Sequence, residues 1–166
     1  MHALITGGSS GIGKSLANKL AADSYDVSLI ARRPQLLAQA AEEIRRHGSG
    51  QRVAVFPADV TDRVQAEAAV KAAIAEFGPP DMVVTSAVIL HNPPAIAERI
   101  RREVMRVSRR FAAHNEETNL SYNRYGYDTA LWYRQRGIVL AESGPIPTDP
   151  DRSASQFCVA MVYPRQ

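Results

Sequence analysis

The chain has 166 residues, a formal net charge of +3, 45% hydrophobic residues and 22% charged residues. That length is enough for one domain with a hydrophobic core, and the composition is typical of a globular protein. So small a net charge gives no support for nucleic-acid binding, and the single cysteine, Cys158, excludes an internal disulfide framework. No apolar run approaches the length of a membrane span, and no basic segment precedes a long apolar one at the N-terminus. We therefore expect a cytoplasmic protein that has no transmembrane segment and no nucleic-acid partner.

The first 20 residues predict a strand, a glycine-rich turn and a helix. Residues 3–5 are an apolar run, residues 6–13 contain four glycines, and apolar residues then recur at helical spacing from Lys14. Gly7 permits a tight turn, Gly11 leaves room for a pyrophosphate near the backbone, and Gly13 lets the helix pack close to the strand. The first N–H groups of the helix would then face negative charge. The alternative is a glycine-rich turn that binds nothing.

Two arginines, Arg32 and Arg33, directly follow the second predicted strand at residues 27–31. In a dinucleotide-binding sheet, the end of this strand lies beside the adenosine ribose. An acidic residue there holds the ribose hydroxyls, whereas an arginine accommodates a 2′-phosphate. Because no acid stands at positions 31–33, the pattern favours NADP over NAD. The alternative is an exposed loop that carries two charges.

The alternation of strands and helices continues up to residue 87. It predicts helices over 34–48 and 62–77 and strands over 53–56 and 82–84. Asp59 follows the third strand, where its carboxylate could accept the adenine amino group, and Thr61 or Asp62 can cap the next helix. This order predicts an α/β, doubly wound, Rossmann-like parallel sheet with its ligand crevice at the carboxyl ends of the strands. We expect one NAD(P)-binding domain over 1–166, well defined over 1–87 and truncated or irregular after strand four.

Residues 1–87 resemble the short-chain dehydrogenase/reductase family in the segments 6–13, 59–62 and 84–87. The sequence of residues 4–16 and 29–32 is most similar to that of the 3-ketodihydrosphingosine (3-dehydrosphinganine) reductase branch. The resemblance implies an NADP-dependent oxidoreductase that transfers hydride between NADP(H) and a ketone or secondary alcohol, with a long-chain 3-keto base as one candidate. The full set of candidate cofactor-binding residues is Thr6, Gly7, Ser9, Ser10, Gly11, Ile12, Gly13, Arg32, Arg33, Asp59, Val60, Ser86 and Ala87.

The resemblance implies a task for most of these residues. The turn would hold the pyrophosphate and ribose, Arg32 the 2′-phosphate, and Asp59 with Val60 the adenine. The family usually continues strand four with Asn-Ala-Gly, whereas this chain has Ser86-Ala87-Val88. Val88 thus puts a branched side chain where the family's backbone approaches the nicotinamide ribose.

The second half departs from the family at its catalytic pair, Tyr-x-x-x-Lys. The tyrosine of that pair exchanges the substrate proton and the lysine lowers its pKa. No lysine follows Lys71 in this chain. Residues 125–127 and 140–143 resemble the family's sequence, and counting from either segment puts the pair at Ala130 and Arg134. We therefore leave the catalytic residues unassigned, expect impaired catalysis, and interpret the second half as divergent or frameshifted. A non-catalytic NADP-binding or interaction module is the alternative.

Arginines crowd residues 95–113, where apolar residues at helical spacing predict an arginine-rich amphipathic helix. We interpret these arginines as a solvated face rather than as a phosphate or nucleic-acid surface. The histidines show no metal-ligand spacing, so we expect no metal. The expected partner is a small-molecule ketone or alcohol, and a homo-oligomer is left open.

Overall fold

The computed structural model describes residues 1–47, 50–86, 93–117, 128–145 and 155–162. It divides into two compact units, Met1–Ser86 and Ala87–Gln166, which are described separately below. None of the helices in the described ranges combines the length and the apolar character needed to cross a membrane.

The first unit is a parallel sheet covered by helices. Its elements are β1 (His2–Thr6), α1 (Gly11–Ala22), β2 (Asp26–Ala31), α2 (Pro34–His47), β3 (Val53–Pro57), α3 (Arg63–Phe77) and β4 (Met82–Ser86). β1 pairs in parallel with β2 and β4, and β2 pairs with β3, which gives the order β3-β2-β1-β4. Because the chain moves outward to β3 and then returns to β4, right-handed crossovers put α1 and α2 on one face and α3 on the other. The predicted α/β, doubly wound sheet is confirmed.

The core of this unit lies on both faces of its two central strands. Residues 3–5 of β1 and 27–30 of β2 are buried without interruption, as continuous apolar strands are when helices cover both faces. Helix α2 adds a buried face at three- and four-residue spacing, formed by Leu37, Ala40, Ala41 and Ile44.

The helix ends follow their sequence signals. The carboxylate of Asp62 accepts hydrogen bonds from the backbone N–H groups of Val64 and Gln65, so Asp62, not Thr61, is the side chain that caps α3. Gly78 ends that helix with a φ of +81°, in the left-handed region that favours glycine. Helix α2 ends at His47, and the predicted stop at Gly48 lies outside the described residues.

The second unit does not continue the parallel alternation. Its described elements are α4 (Pro94–Val107), β5 (Phe111–Glu117), α5 (Thr129–Arg134), β6 (Leu140–Pro145) and β7 (Ser155–Met161). β7 pairs antiparallel with both β5 and β6. The expected irregularity after strand four therefore takes the form of an antiparallel arrangement.

Helix α4 is the predicted arginine-rich helix. Arg102 and Arg106 are exposed and form ion pairs with Glu98 and Glu103 along the helix surface. Arg101, by contrast, is only 4% exposed, and its Nη2 lies 3.4 Å from Thr129 Oγ1. The interpretation as a solvated face fits the first two arginines but not Arg101.

His2, at the start of β1, is a buried polar residue of the first unit. Its Nδ1 lies 2.8 Å from the carbonyl oxygen of Gly78 and its Nε2 lies 2.8 Å from Ser28 Oγ. A carbonyl can only accept, so Nδ1 carries the hydrogen and Nε2 accepts from the Ser28 hydroxyl. Burial lowers the pKa of His2 below its ordinary value, and the neutral ring is the form that fits.

We predict that His2 makes the first unit less stable in mild acid. The unfolded chain binds the proton first because its histidine keeps the ordinary pKa of about 6.5, so the free energy of unfolding falls as the pH drops below that value. Urea unfolding at about pH 7.5 and about pH 5.5 measures how far the free energy of unfolding falls between these two values. The fall should be larger in the native protein than in His2→Gln, by at most about 1.4 kcal/mol per pH unit. Gln39, which is exposed and has no titratable group, supplies the control: Gln39→Ala should keep the native pH dependence. The same pH dependence in His2→Gln would contradict the prediction.

Candidate functional site

The glycine turn joins the end of β1 to the start of α1. Gly7 has a φ of +76° and Gly11 a φ of +56°, and both values are strained for residues that carry a side chain. The Gly7 N–H donates to the carbonyl oxygen of Ile30 at 2.9 Å, so the turn starts from the last bond of the β1–β2 ladder.

Two further glycines let the backbone pack closely. A Cβ on Gly13 would lie 2.4 Å from the carbonyl oxygen of Gly7, a contact between backbone groups that no rotamer change can relieve. A Cβ on Gly8 would lie 2.7 Å from Leu29 Cδ2. The predicted close packing of helix against strand is therefore present at Gly13, and it fixes where α1 begins.

The N-terminus of α1 is left without a side-chain cap. Ser10 stands at the N-cap position with extended backbone, but its side chain makes no capping hydrogen bond. Neighbouring Gly11 and Ile12 are exposed, and the Ile12 side chain is 44% exposed. The first N–H groups of the helix can therefore take an anionic ligand, which the helix dipole also favours.

Most of the other predicted site residues lie at the carboxyl ends of the four parallel strands. Thr6 pairs with Thr85 of β4 and with Ile30 of β2, which brings the ends of these strands side by side. A Cβ on Gly7 would lie 3.2 Å from the carbonyl oxygen of Ser86, so the end of β4 borders the turn. Arg32 and Arg33 follow β2 and are exposed, Ser9 and Val60 are partly exposed, and Ala87 lies outside the described residues.

Asp59 is held in its ionised form after β3. Its Oδ1 accepts the backbone N–H of Thr61 at 3.0 Å and the Thr61 hydroxyl at 2.8 Å. These two hydrogen bonds, together with the positive charge of Arg32, lower the pKa of the Asp59 carboxyl group. The structure therefore brings Arg32 and Asp59 into the same electrostatic environment at one edge of the sheet.

One residue of this edge was not predicted from the sequence. Gln65, in the first turn of α3, accepts the backbone N–H of Asp59 through Oε1 at 3.2 Å. Its Nε2 donates to Asp62 Oδ2 at 2.9 Å. The spacing Asp62-x-x-Gln65 is that of a capping box, and this signal could have identified Gln65.

The two positions at which the family's catalytic pair was expected carry no such pair. Ala130 in α5 is fully buried, and Arg134 is exposed with its Nη2 3.0 Å from Ser143 Oγ. Nearby Tyr133 is also fully buried, and its hydroxyl contacts His114 Nε2.

Burial makes this tyrosine–histidine pair a poor source of protons. It raises the pKa of Tyr133 far above the ordinary value. It also lowers the pKa of His114 to about 3, with the charge of Arg101 acting in the same direction. Both groups are therefore neutral near pH 7. Over the ranges that the structure describes, no cluster of three His, Cys, Asp or Glu residues could hold a metal ion.

The family model for short chain dehydrogenase matches residues 1–110. The chain belongs to the short chain dehydrogenase family. The match includes the glycine turn, the arginines after β2 and the Asp59 loop.

Two relatives and one solved structure show how far this likeness extends. The chain is 38% identical over 95 residues to an L-2,3-butanediol dehydrogenase of Corynebacterium glutamicum, covering 57% of this chain and 36% of that protein. It is 44% identical over 85 residues to a 3-dehydrosphinganine reductase of Arabidopsis thaliana, covering 51% and 24%. The L-sorbose reductase of Gluconobacter frateurii, solved with NADPH and L-sorbose, has a TM-score of 0.50 at 32% identity, covering 57% and 36%. The predicted likeness to 3-dehydrosphinganine reductases is confirmed, although the chain spans only about a third or less of these relatives.

We predict that Gly13→Ala destabilises the first unit by about 1–3 kcal/mol, the usual cost of overpacking. The new Cβ would meet the Gly7 carbonyl oxygen at 2.4 Å, so α1 or the turn must move. Urea unfolding measures the loss. Gly50→Ala is the control, because its Cβ would meet no atom within 4 Å and adds only the strain of a positive φ. Equal losses of unfolding free energy in the two variants would show that the close approach at Gly13 adds nothing to the cost of the substitution.

Proposed function

We propose that this chain binds NADP(H) at the carboxyl edge of its parallel sheet and serves an oxidoreductase that interconverts a ketone and a secondary alcohol. The observation that carries the proposal is the uncapped N-terminus of α1, set against β1 by the Gly7–Gly13 contact. Arg32 and Asp59 follow β2 and β3 at the same edge of the sheet, where the charge of Arg32 acts on Asp59. Bound NADP(H) would supply the hydride. The chain's own residues bind and orient the cofactor.

The pyrophosphate fits the glycine turn. Its negative charge is matched by the N–H groups at the start of α1, and Gly11 leaves open space where a side chain would stand. We assign Thr6, Gly7, Ser9, Ser10, Gly11, Ile12 and Gly13 to this part of the site.

The two arginines after β2 favour NADP over NAD. Both are exposed, and no carboxylate at positions 31–33 is available to hold the ribose hydroxyls. A guanidinium can meet a 2′-phosphate with charge-assisted hydrogen bonds. The cofactor seen in the related L-sorbose reductase, NADPH, carries that phosphate.

The two ends of the cofactor would lie at β3 and β4, the two outer strands of the order β3-β2-β1-β4. The Asp59 carboxylate can accept the adenine amino group, with Val60 beside the ring. On the other side, Ser86 ends β4 beside the glycine turn, and Ala87 is the next residue in the sequence. We assign these two residues to the nicotinamide side.

The relatives support the proposed substrate class. Their names cover a diol, a ketose and a 3-keto sphingoid base, which share a ketone–secondary alcohol pair. We propose the same pair for this chain, with a long-chain 3-keto base as one candidate.

We predict that Arg32→Ala weakens NADP binding by about 1.5–3 kcal/mol, the weight of a hydrogen bond to a charged group. NAD binding should change much less, because NAD lacks the 2′-phosphate. Calorimetric titration of both cofactors measures the two losses. Arg46→Ala, at the far end of α2, is the control and should leave both affinities unchanged. Equal losses for NADP and NAD in Arg32→Ala would rule out a 2′-phosphate contact, and an unmodified chain that binds neither cofactor would refute the proposed function.

We propose further that catalysis is impaired in this chain. Reduction of a ketone needs a positioned proton donor for the developing alkoxide. Ala130 has no proton to give, Arg134 does not release one, and Tyr133 is buried with its pKa raised. Binding without turnover would favour the second candidate, a non-catalytic NADP-binding or interaction module.

We predict that the 166-residue chain shows little or no ketone-dependent oxidation of NADPH. The loss of general acid catalysis typically lowers a rate by about 10²–10⁴-fold. Absorbance of NADPH, followed with a panel of ketones that includes a long-chain 3-keto base, measures the rate. The double variant Ala130→Tyr with Arg134→Lys should not restore activity, because position 130 has no exposed surface and a tyrosine would be forced into packed space. Rapid ketone-dependent turnover by the unmodified chain would contradict the prediction.

A further inference from the structure

Gln65 links the loop after β3 to the start of α3. The loop itself is a tight turn, closed by a hydrogen bond from the Asp62 N–H to the Asp59 carbonyl oxygen at 3.0 Å. In an ordinary capping box, the side chain three residues after the cap accepts the N–H of the cap residue. Here that N–H is already used, and the Gln65 side chain reaches three residues further back to the N–H of Asp59.

Both the oxygen and the nitrogen of the Gln65 amide make contacts, and neither atom could take the place of the other. The oxygen faces an N–H group, which can only donate, and the nitrogen faces the Asp62 carboxylate, which can only accept. A glutamate would keep the first contact but would set two carboxylates against each other at the second. An alanine would lose both. Glutamine is therefore the side chain that fits this place.

This arrangement determines which oxygen of Asp59 is presented to a ligand. Thr61 occupies Oδ1 with two hydrogen bonds. Among the described residues no donor occupies Oδ2, so this is the oxygen that can accept from a bound molecule. Because the Asp59 backbone is tied to α3 through Gln65, the position of Oδ2 is set by a helix rather than by the loop alone.

We propose that Gln65 is a positioning residue that makes this edge of the site select adenine over hypoxanthine, and the inference rests on the proposed NADP-binding function. Adenine presents an amino group at C6 and can donate to Oδ2. Hypoxanthine presents a carbonyl oxygen there, which the carboxylate repels. The selection requires Oδ2 to lie at a fixed place, and the Gln65 amide provides that constraint.

The test compares NADPH with its hypoxanthine counterpart in fluorescence titrations of the native chain, Gln65→Ala and Gln65→Glu. The native chain should bind NADPH more tightly than the hypoxanthine form. Both variants should lose about 3- to 10-fold in NADPH affinity, the range of one weakened hydrogen bond. Their affinity for the hypoxanthine form should change little. Gln39→Ala, an exposed glutamine on α2, is the matched control and should keep the native preference. Thermal melts check that each variant is folded. If Gln65→Ala does not fold, the affinities of Gln65→Glu provide the test.

A double-mutant cycle separates positioning from direct contact. If Gln65 acts through the Asp59 side chain, Gln65→Ala should not change the base preference further in an Asp59→Ala background. A further change there would mean that Gln65 touches the base itself and would overturn the inference. Equal losses for both bases in the Gln65 variants, or no loss, would also overturn it while leaving NADP binding intact. If the native chain binds neither form, the proposed function fails and the inference falls with it.

Discussion

The contact between Gly7 and Gly13 is the constraint on which the candidate site depends. A Cβ at position 13 would lie 2.4 Å from the Gly7 carbonyl oxygen, so helix α1 starts closer to β1 than any side chain would permit. Gly7 in turn keeps the β1–β2 ladder through its bond to Ile30 and borders Ser86 at the end of β4. The first turn of α1, the loop after β2 and the end of β4 are thereby held at one edge of the sheet.

Two helix N-termini at this edge differ in how their N–H groups are satisfied. At α3, the Asp62 carboxylate accepts two backbone N–H groups, and Gln65 braces the carboxylate from the side. At α1, the Ser10 side chain makes no capping bond, and the first turn contains no acidic residue. An unneutralised dipole and unpaired N–H groups attract an anion, whereas a capped end does not. The difference favours α1 over α3 for the proposed phosphate role and leaves the α3 end to hold Asp59.

The predicted part of the structure is the part in which local signals and tertiary packing agree. The parallel sheet was predictable because apolar strand runs alternate with amphipathic helices, and Asp62 was one of two predicted caps for α3. The antiparallel pairing of β7 with β5 and β6 was not, since no local pattern says which distant strands meet. Arg101 was counted with a solvated face, although it shares the spacing of buried Ala97 and Val104. The capping-box spacing could have identified Gln65 and its contact with Asp62, but its contact with the Asp59 N–H becomes visible only once the loop is folded.

The helical register of α5 explains why its tyrosine cannot stand in for a catalytic one. Thr129, Ala130 and Tyr133 share the buried face, whereas Leu131 and Arg134 are exposed. Successive residues on an α-helix are rotated by about 100°. Turning α5 in one direction to expose Tyr133 would therefore carry Arg134 inward, and burying an unpaired guanidinium is costly. Turning it in the other direction would pull Trp132 away from Glu98, to which its Nε1 donates. It would also break the contact of the Tyr133 hydroxyl with His114, a buried neutral base that needs a donor. The packing of the second unit thus keeps Tyr133 buried and opposes its use as a proton donor.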